Sequence, residues 1–172
     1  LIKEFNYMYK IKYIINSFGV ISGPWQFGVV EQGFVSLWVE RHLNKKSLSY
    51  IGYGGYGNQV RDVIHIDDVC DILYRQILKF KFIFNESFDI GGGVSNSVSL
   101  KQLTKKCQKL TKNKIPISKI KSTSIFDVPY FVTNNSKIKK YYNWSPKFNI
   151  DQTIIDIYFW LKKNKKILRG QF

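Results

Sequence analysis

The sequence predicts an α/β chain, the closing part of a larger α/β fold joined to a smaller mixed domain. Apolar, β-rich runs at residues 13–18 and 87–90 each read as a buried parallel strand stopped by glycine. Helical apolar periodicity recurs between and after them, so strands alternate with helices. The parallel strands are nevertheless too few to complete a doubly wound sheet. A chain of 172 residues can bury the core of one domain, and no internal repeat divides it.

The elements follow in order. Residues 1–12 read as the end of a helix with Ile2, Phe5 and Tyr9 on one face. The chain starts at Leu1 rather than Met, which is expected of a truncated reading frame or of a fragment beginning inside a helix. After the strand at 13–18, Gly19 to Pro24 must end regular structure. A helix is expected over residues 32–43 with Val35, Trp38, Val39 and His42 inward, then a short strand at 49–51 and a glycine turn at 52–57. Residues 60–66 alternate as a half-buried strand does, and Asp67 is the expected N-cap of a helix to Lys79.

Ser99 with Gln102, and Asn149 with Gln152, have capping-box spacing. The helices behind them present Leu100, Leu103, Cys107 and Leu110, and then Ile154, Ile155, Tyr158 and Leu161. A short helix is expected after Asn134, ending before Trp144-Ser145-Pro146, and residues 164–172 read as a frayed basic tail.

Composition narrows the class. Hydrophobic residues make up 44% of the chain, and no apolar run approaches the ~20 residues that would span a bilayer. The opening residues do not have the pattern of a secretory leader. Cys70 and Cys107 are far apart on helices with apolar neighbours, so two buried free thiols in a reducing cytoplasm are expected, without disulfide or metal. The net charge of +15 raises a nucleic-acid hypothesis. Against it, the lysines are spread along polar helix faces, and Lys, Ile, Asn, Tyr and Phe all have A/T-rich codons. No nucleic-acid partner is expected, although a basic surface attracts a pyrophosphate.

Four segments carry chemistry. Gly57-Asn58-Gln59-Val60-Arg61-Asp62 is a glycine turn feeding an arginine into the start of a strand, where a guanidinium can grip phosphate oxygens in a bidentate fork. The same residues could equally form an Arg61–Asp62 surface pair. Gly23-Pro24-Trp25-Gln26-Phe27-Gly28, running on to Gln32-Gly33, is an aromatic, glycine-rich loop after a buried strand, where open α/β sheets place ligands. Asp89-Ile90-Gly91-Gly92-Gly93 lacks the Lys-Ser/Thr continuation of a P-loop and reads as close backbone packing. Last come Phe126-Asp127-Val128-Pro129 and Asn143-Trp144-Ser145-Pro146.

In this collinear order the four segments resemble the extended short-chain dehydrogenases of the NAD-dependent epimerase/dehydratase family that act on nucleotide sugars. The first matches the Gly-x-Gln-x-Arg-Asp signature. The Gln-Phe-Gly … Gln-Gly form and the Trp-Ser-Pro element resemble the group around CDP-tyvelose (CDP-paratose) 2-epimerase. The resemblance implies the C-terminal part of a Rossmann-type doubly wound NAD(P)-binding fold plus a small mixed α/β substrate-binding domain. Residues 1–30 would end the core, 31–163 would be mainly substrate domain with a core strand returning near 87–91, and 164–172 would be tail.

The resemblance also assigns roles. Arg61 and Asp127 would hold the nucleotide, while Gln26 and Gln32 would contact sugar or phosphate or else brace their loop. Phe18 and Val20 would floor the nicotinamide pocket, and Asp62 and Asp67 would be architectural. Ser17 and Ser124 stand where many relatives carry arginine. The catalytic Tyr-x-x-x-Lys and the Gly-x-x-Gly-x-x-Gly turn for NAD are not in these residues, so no catalytic residue is assigned and the fragment alone is expected to be inactive. For the intact enzyme the resemblance implies an NAD cofactor, a nucleotide-sugar substrate, a homodimer, and epimerisation by transient oxidation and hydride return. A 4-epimerase or 4,6-dehydratase fragment is the alternative enzyme, and a non-catalytic sugar-nucleotide binding module is the alternative of another class.

Overall fold

Side-chain caps and glycine stops set the outline of the computed structural model, which describes residues 1–30 and 32–168. Helix α1 (Ile2–Tyr9) ends on Lys10 in the left-handed region and buries none of its residues. Strand β1 (Ile14–Phe18) follows, and Gly19 separates it from β2 (Val20–Ser22). Helix α2 (Phe34–Leu43) starts two residues later than periodicity suggests, because its N-cap Gly33 sits at φ 71°. Its expected inward face is right: Val35, Trp38, Val39 and His42 are all buried.

Strand β3 (Leu48–Ile51) and a tight turn lead to β4 (Val60–His65), which runs straight into α3 (Ile66–Lys79). Here the expected cap is corrected. The imidazole Nδ1 of His65 accepts the backbone N–H of Asp67 at 3.1 Å, so His65 caps the helix and Asp67 lies in its first turn. Strand β5 (Glu86–Ile90) precedes β6 (Ser97–Ser99) and α4 (Leu100–Thr111), whose Ser99/Gln102 capping box is complete. Strands β7 (Ile117–Ile120) and β8 (Tyr130–Phe131) come next, then α5 (Ser136–Tyr142). Helix α6 (Ile150–Lys163) carries the second capping box, Asn149 with Gln152.

Strand pairing is mostly parallel, as expected of a chain with helical crossovers. β1 pairs with β5, β2 with β4, β3 with β7 and β8 with β4, all parallel; β6 is antiparallel to β4. β2, β6, β7 and β8 are two to four residues long and had no sequence signal of their own. Among the described residues β1 has a single neighbour, leaving its second edge unpaired.

Two apolar clusters form the interior, and β4 separates them. Successive side chains of a strand point to opposite faces. Val63 therefore enters the cluster built on α2, α4 and α6, while Ile64 enters the cluster built on β1, β5, α3 and α5. Ile157 and Trp160 join the first cluster, whereas Ile155 is 38% exposed; the inward stripe of α6 is displaced from the expected one. Leu168 is also buried there, so residues 164–168 form a packed turn rather than a frayed tail, and residues 169–172 lie outside the described residues.

The cysteines part company. Cys107 is buried and its thiol is pushed well above the usual range by desolvation, but Cys70 is exposed on α3, which corrects the expectation of two buried thiols. Iodoacetamide should therefore label Cys70 alone in the native chain and both thiols after denaturation, as counted by mass spectrometry. Labelling of Cys107 under native conditions would contradict this packing.

His42 offers a second test. Burial lowers its pKa below 6.5, against a smaller opposing effect from the Trp38 carbonyl bonded to Nδ1. The unfolded chain thus takes up the proton first, so stability is full above pH 6.5 and is lost as pH falls through the lowered folded value. Urea unfolding between pH 7 and 5 should show this slope, and His42→Gln should flatten it.

Candidate functional site

A cleft of about 1120 Å³ opens between α2, β3, the start of β4 and the segment 118–127. Phe34, Leu37, Trp38 and Arg41 face it from α2, the i, i+3, i+4, i+7 stripe of one helical face. The wall is rigid at Trp38. Its indole N–H donates to Thr104 Oγ1 at 2.9 Å, and its ring stacks on Tyr50, whose own hydroxyl reaches the same oxygen. Arg41 Nε lies 3.6 Å from Oε2 of Glu40, a buried carboxylate whose Oε1 accepts from Asn44 and Lys46.

Arg61 enters from the first turn-proximal residues of β4. Its backbone pairs with Val98 on one side and Phe131 on the other, so the strand is held on both edges. The guanidinium is half-buried, donating from Nη1 to the Val60 carbonyl at 2.8 Å and from Nη2 to Asp127 Oδ1. Arg61 therefore pairs with Asp127, 66 residues away, and not with Asp62.

Asp127 is itself strapped in place. The Tyr53 hydroxyl donates to its carbonyl at 2.7 Å, Thr123 Oγ1 accepts from Tyr53 N, and Val60 N donates to the Pro129 carbonyl. Gly52 sits beside Asp127 at φ 82°. A Cβ there would lie 3.3 Å from Gln59 Nε2 and 3.6 Å from Asp127 Oδ2. Gln59 and Asp127 thus converge on one glycine, and Asp127 in turn holds Arg61.

Asp62 faces the other way and is fully buried. Its Oδ2 accepts the backbone N–H of Gly93 at 3.0 Å, and Asn135 bridges both backbone groups of Gly91. Together these clamp the glycine cluster against β4 in the structural role expected for it. A Cβ on Gly92 would fall 2.1 Å from the Val63 carbonyl, a backbone atom that cannot swing aside. Gly92→Ala should destabilise the chain by at least roughly 1–3 kcal/mol in urea titration, the usual range for overpacking a core. Wild-type stability in that variant would show the clamp to be loose.

The remaining candidates are placed as follows. Gln26 spends its amide on its own loop, accepting from Ser22 and Ser36 hydroxyls and donating to the Ile21 carbonyl, which is the bracing arrangement. Gln32 has an exposed side chain, while its backbone closes a turn with Val29. Val20 lines the cleft beside Arg61; Phe18 packs instead into the cluster around β1 and β5. Ser124 lines the cleft and Ser17 is exposed on β1. Trp144 is buried and bonds Asp71, consistent with packing. Sequence reasoning missed Arg41 and Gln59, although the helical stripe of α2 could have found Arg41.

Among the described residues no His, Cys, Asp or Glu cluster could hold a metal, and no helix is long and apolar enough to cross a membrane.

The model of the NAD dependent epimerase/dehydratase family matches residues 1–91. CDP-paratose 2-epimerase of Salmonella typhi is 27% identical over 140 residues, 80% of this chain and 41% of that protein. A putative UDP-glucose 4-epimerase of Methanocaldococcus jannaschii is 26% identical over 96% of this chain and 50% of its own length. Among solved structures, the Thermotoga maritima UDP-glucose 4-epimerase with UDP-glucose superposes with a TM-score of 0.80 at 26% identity, covering 95% of this chain and 50% of that one. The chain thus spans about half the length of the relatives it matches, and its fold is the corresponding half of a Rossmann-type enzyme.

Proposed function

The chain belongs to the NAD dependent epimerase/dehydratase family, and from that premise we propose that it is the substrate-binding portion of a nucleotide-sugar epimerase resembling CDP-paratose 2-epimerase. The observation that carries this reading is the Arg61–Asp127 pair at the mouth of the cleft. It unites the two motif residues that the resemblance assigns to the nucleotide. A planar guanidinium offers five donors, of which Val60 and Asp127 take two, so the others can meet pyrophosphate oxygens. Asp127 keeps the fork oriented before the ligand arrives, which lowers the ordering cost of binding.

The residues present fit NAD along one wall at most. Val20 borders the cleft and Phe18 ends β1, but Gly19 between them packs against Asp62 and Thr133 rather than offering a cradle. The glycine turn that would grip the dinucleotide is absent from the sequence. In this reading α1, which buries nothing, and the unpaired edge of β1 meet the cofactor-binding half of the complete protein. NAD would supply hydride acceptance and return there, and these 172 residues would bind and orient the nucleotide sugar. A 4-epimerase is the second reading, favoured by relatives of that activity at comparable identity.

In the complete enzyme Arg61→Ala should raise KM for the nucleotide sugar tenfold or more, by roughly the worth of a charge-assisted hydrogen bond. NAD affinity should stay unchanged in equilibrium titration. Equal losses for both ligands would refute the pyrophosphate assignment. The isolated chain should turn over no substrate.

A further inference from the structure

We infer that Gln59 is a specificity-determining residue of this cleft, reading a hydrogen-bond donor on the nucleoside of the bound nucleotide. The inference rests on the proposed substrate-binding role and deepens it. Gln59 lines the cleft yet is only 7% exposed, and its Oε1 is a buried acceptor with no partner. Its orientation is not ambiguous. The amide nitrogen donates to the Ile51 carbonyl at 2.5 Å, so the oxygen must be the atom left over. A buried, unmatched carbonyl is costly unless a ligand or water supplies a donor.

The position suits a nucleoside. The Gln59 amide nitrogen and the Asp127 carboxylate both approach Gly52, so Gln59 neighbours the acid that holds the arginine proposed to grip the pyrophosphate. Phe126, 88% exposed and adjacent to Asp127, lines the same cleft and offers an aromatic face for a base. Phosphate oxygens are acceptors and cannot satisfy Gln59 Oε1. The complementary group is an N–H of a base edge or a ribose hydroxyl, and either would distinguish a nucleoside diphosphate from bare pyrophosphate.

The test titrates the 172-residue chain by NMR, which reaches millimolar affinities, with CDP, 2′-deoxy-CDP, UDP and inorganic pyrophosphate. Wild type and Gln59→Leu are compared, with spectra confirming that the variant is folded. Gln59→Leu should weaken CDP roughly tenfold or more while leaving pyrophosphate within about twofold. If a ribose 2′-hydroxyl is the donor, the wild-type preference for CDP over 2′-deoxy-CDP should vanish in the variant. If a base edge is read, both cytidine nucleotides should weaken together and the ranking of CDP against UDP should change.

Equal weakening of pyrophosphate and CDP would make Gln59 a structural brace for Ile51 and overturn the inference. Unchanged CDP binding in a folded variant would overturn it too. Failure of the wild type to bind any of the four ligands would instead overturn the functional reading beneath it. Should Gln59→Leu unfold, Gln59→Met, which keeps the volume without the amide, takes its place with the same expected pattern.

Discussion

Strand β4 is what joins the two cores of this chain and carries Arg61 to the cleft. Asp62, Val63, Ile64 and His65 are consecutive and all buried, which a strand manages only when both of its faces are covered. Val63 and Ile64 place apolar volume in separate clusters, so one six-residue strand joins two cores. The polar members of the run are tolerated because they are put to use. Asp62 receives the Gly93 amide, and His65 caps α3 while stacking on Phe148 at 4.3 Å between ring centres. Arg61 stands one residue before this buried run, where the strand emerges into the cleft.

The same device recurs wherever a loop must return to the sheet. Buried Asp68 accepts two backbone N–H groups, from Lys147 and Phe148, and so fixes the approach to α6. Asn135 latches Gly91 by accepting its N–H and donating to its carbonyl. A side chain that satisfies backbone donors replaces the ladder bonds that a loop lacks, and it is stable only if the geometry is kept. The glycines at 91 and 92 are the counterpart, since neither leaves room for a Cβ beside β4 and its latches. The cleft inherits its rigidity from these contacts without sharing residues with them.

What could be read in the sequence was local. Both capping boxes, the inward face of α2 and the existence of β1 and β5 depend on neighbours within a few residues. The two strands are not buried throughout as expected: β1 has no fully buried residue, and β5 is buried on one face only. Distance hid the rest. Nothing near His65 says that its ring will cap a helix, because the strand must first run into that helix without a loop. Cys70 and Cys107 have similar local surroundings, and only tertiary packing covers one and not the other. Leu168 looked like tail because its partners are in the α2, α4 and α6 core. In the site, Arg61 stood out by its motif, but its carboxylate partner is 66 residues away, and Gln59 was visible merely as a motif letter.

The Arg61–Asp127 pair invites an objection, since a cation already neutralised by a carboxylate should bind an anion poorly. Stability is not its justification, because a partly exposed ion pair contributes only about 0–1 kcal/mol. The geometry answers the objection in part. Asp127 engages one end of the fork from the side of Gly52, and the guanidinium remains permanently charged. The carboxylate therefore trades some attraction for a fixed direction. Arg41 adds a second positive group across the same cleft, and the chain as a whole carries +15. Attraction can be supplied by many residues at a distance, screened over about 8–10 Å by salt, whereas direction must come from a contact. In that division of labour Asp127 gives Arg61 its direction, while Arg41 and the net charge of the chain supply attraction.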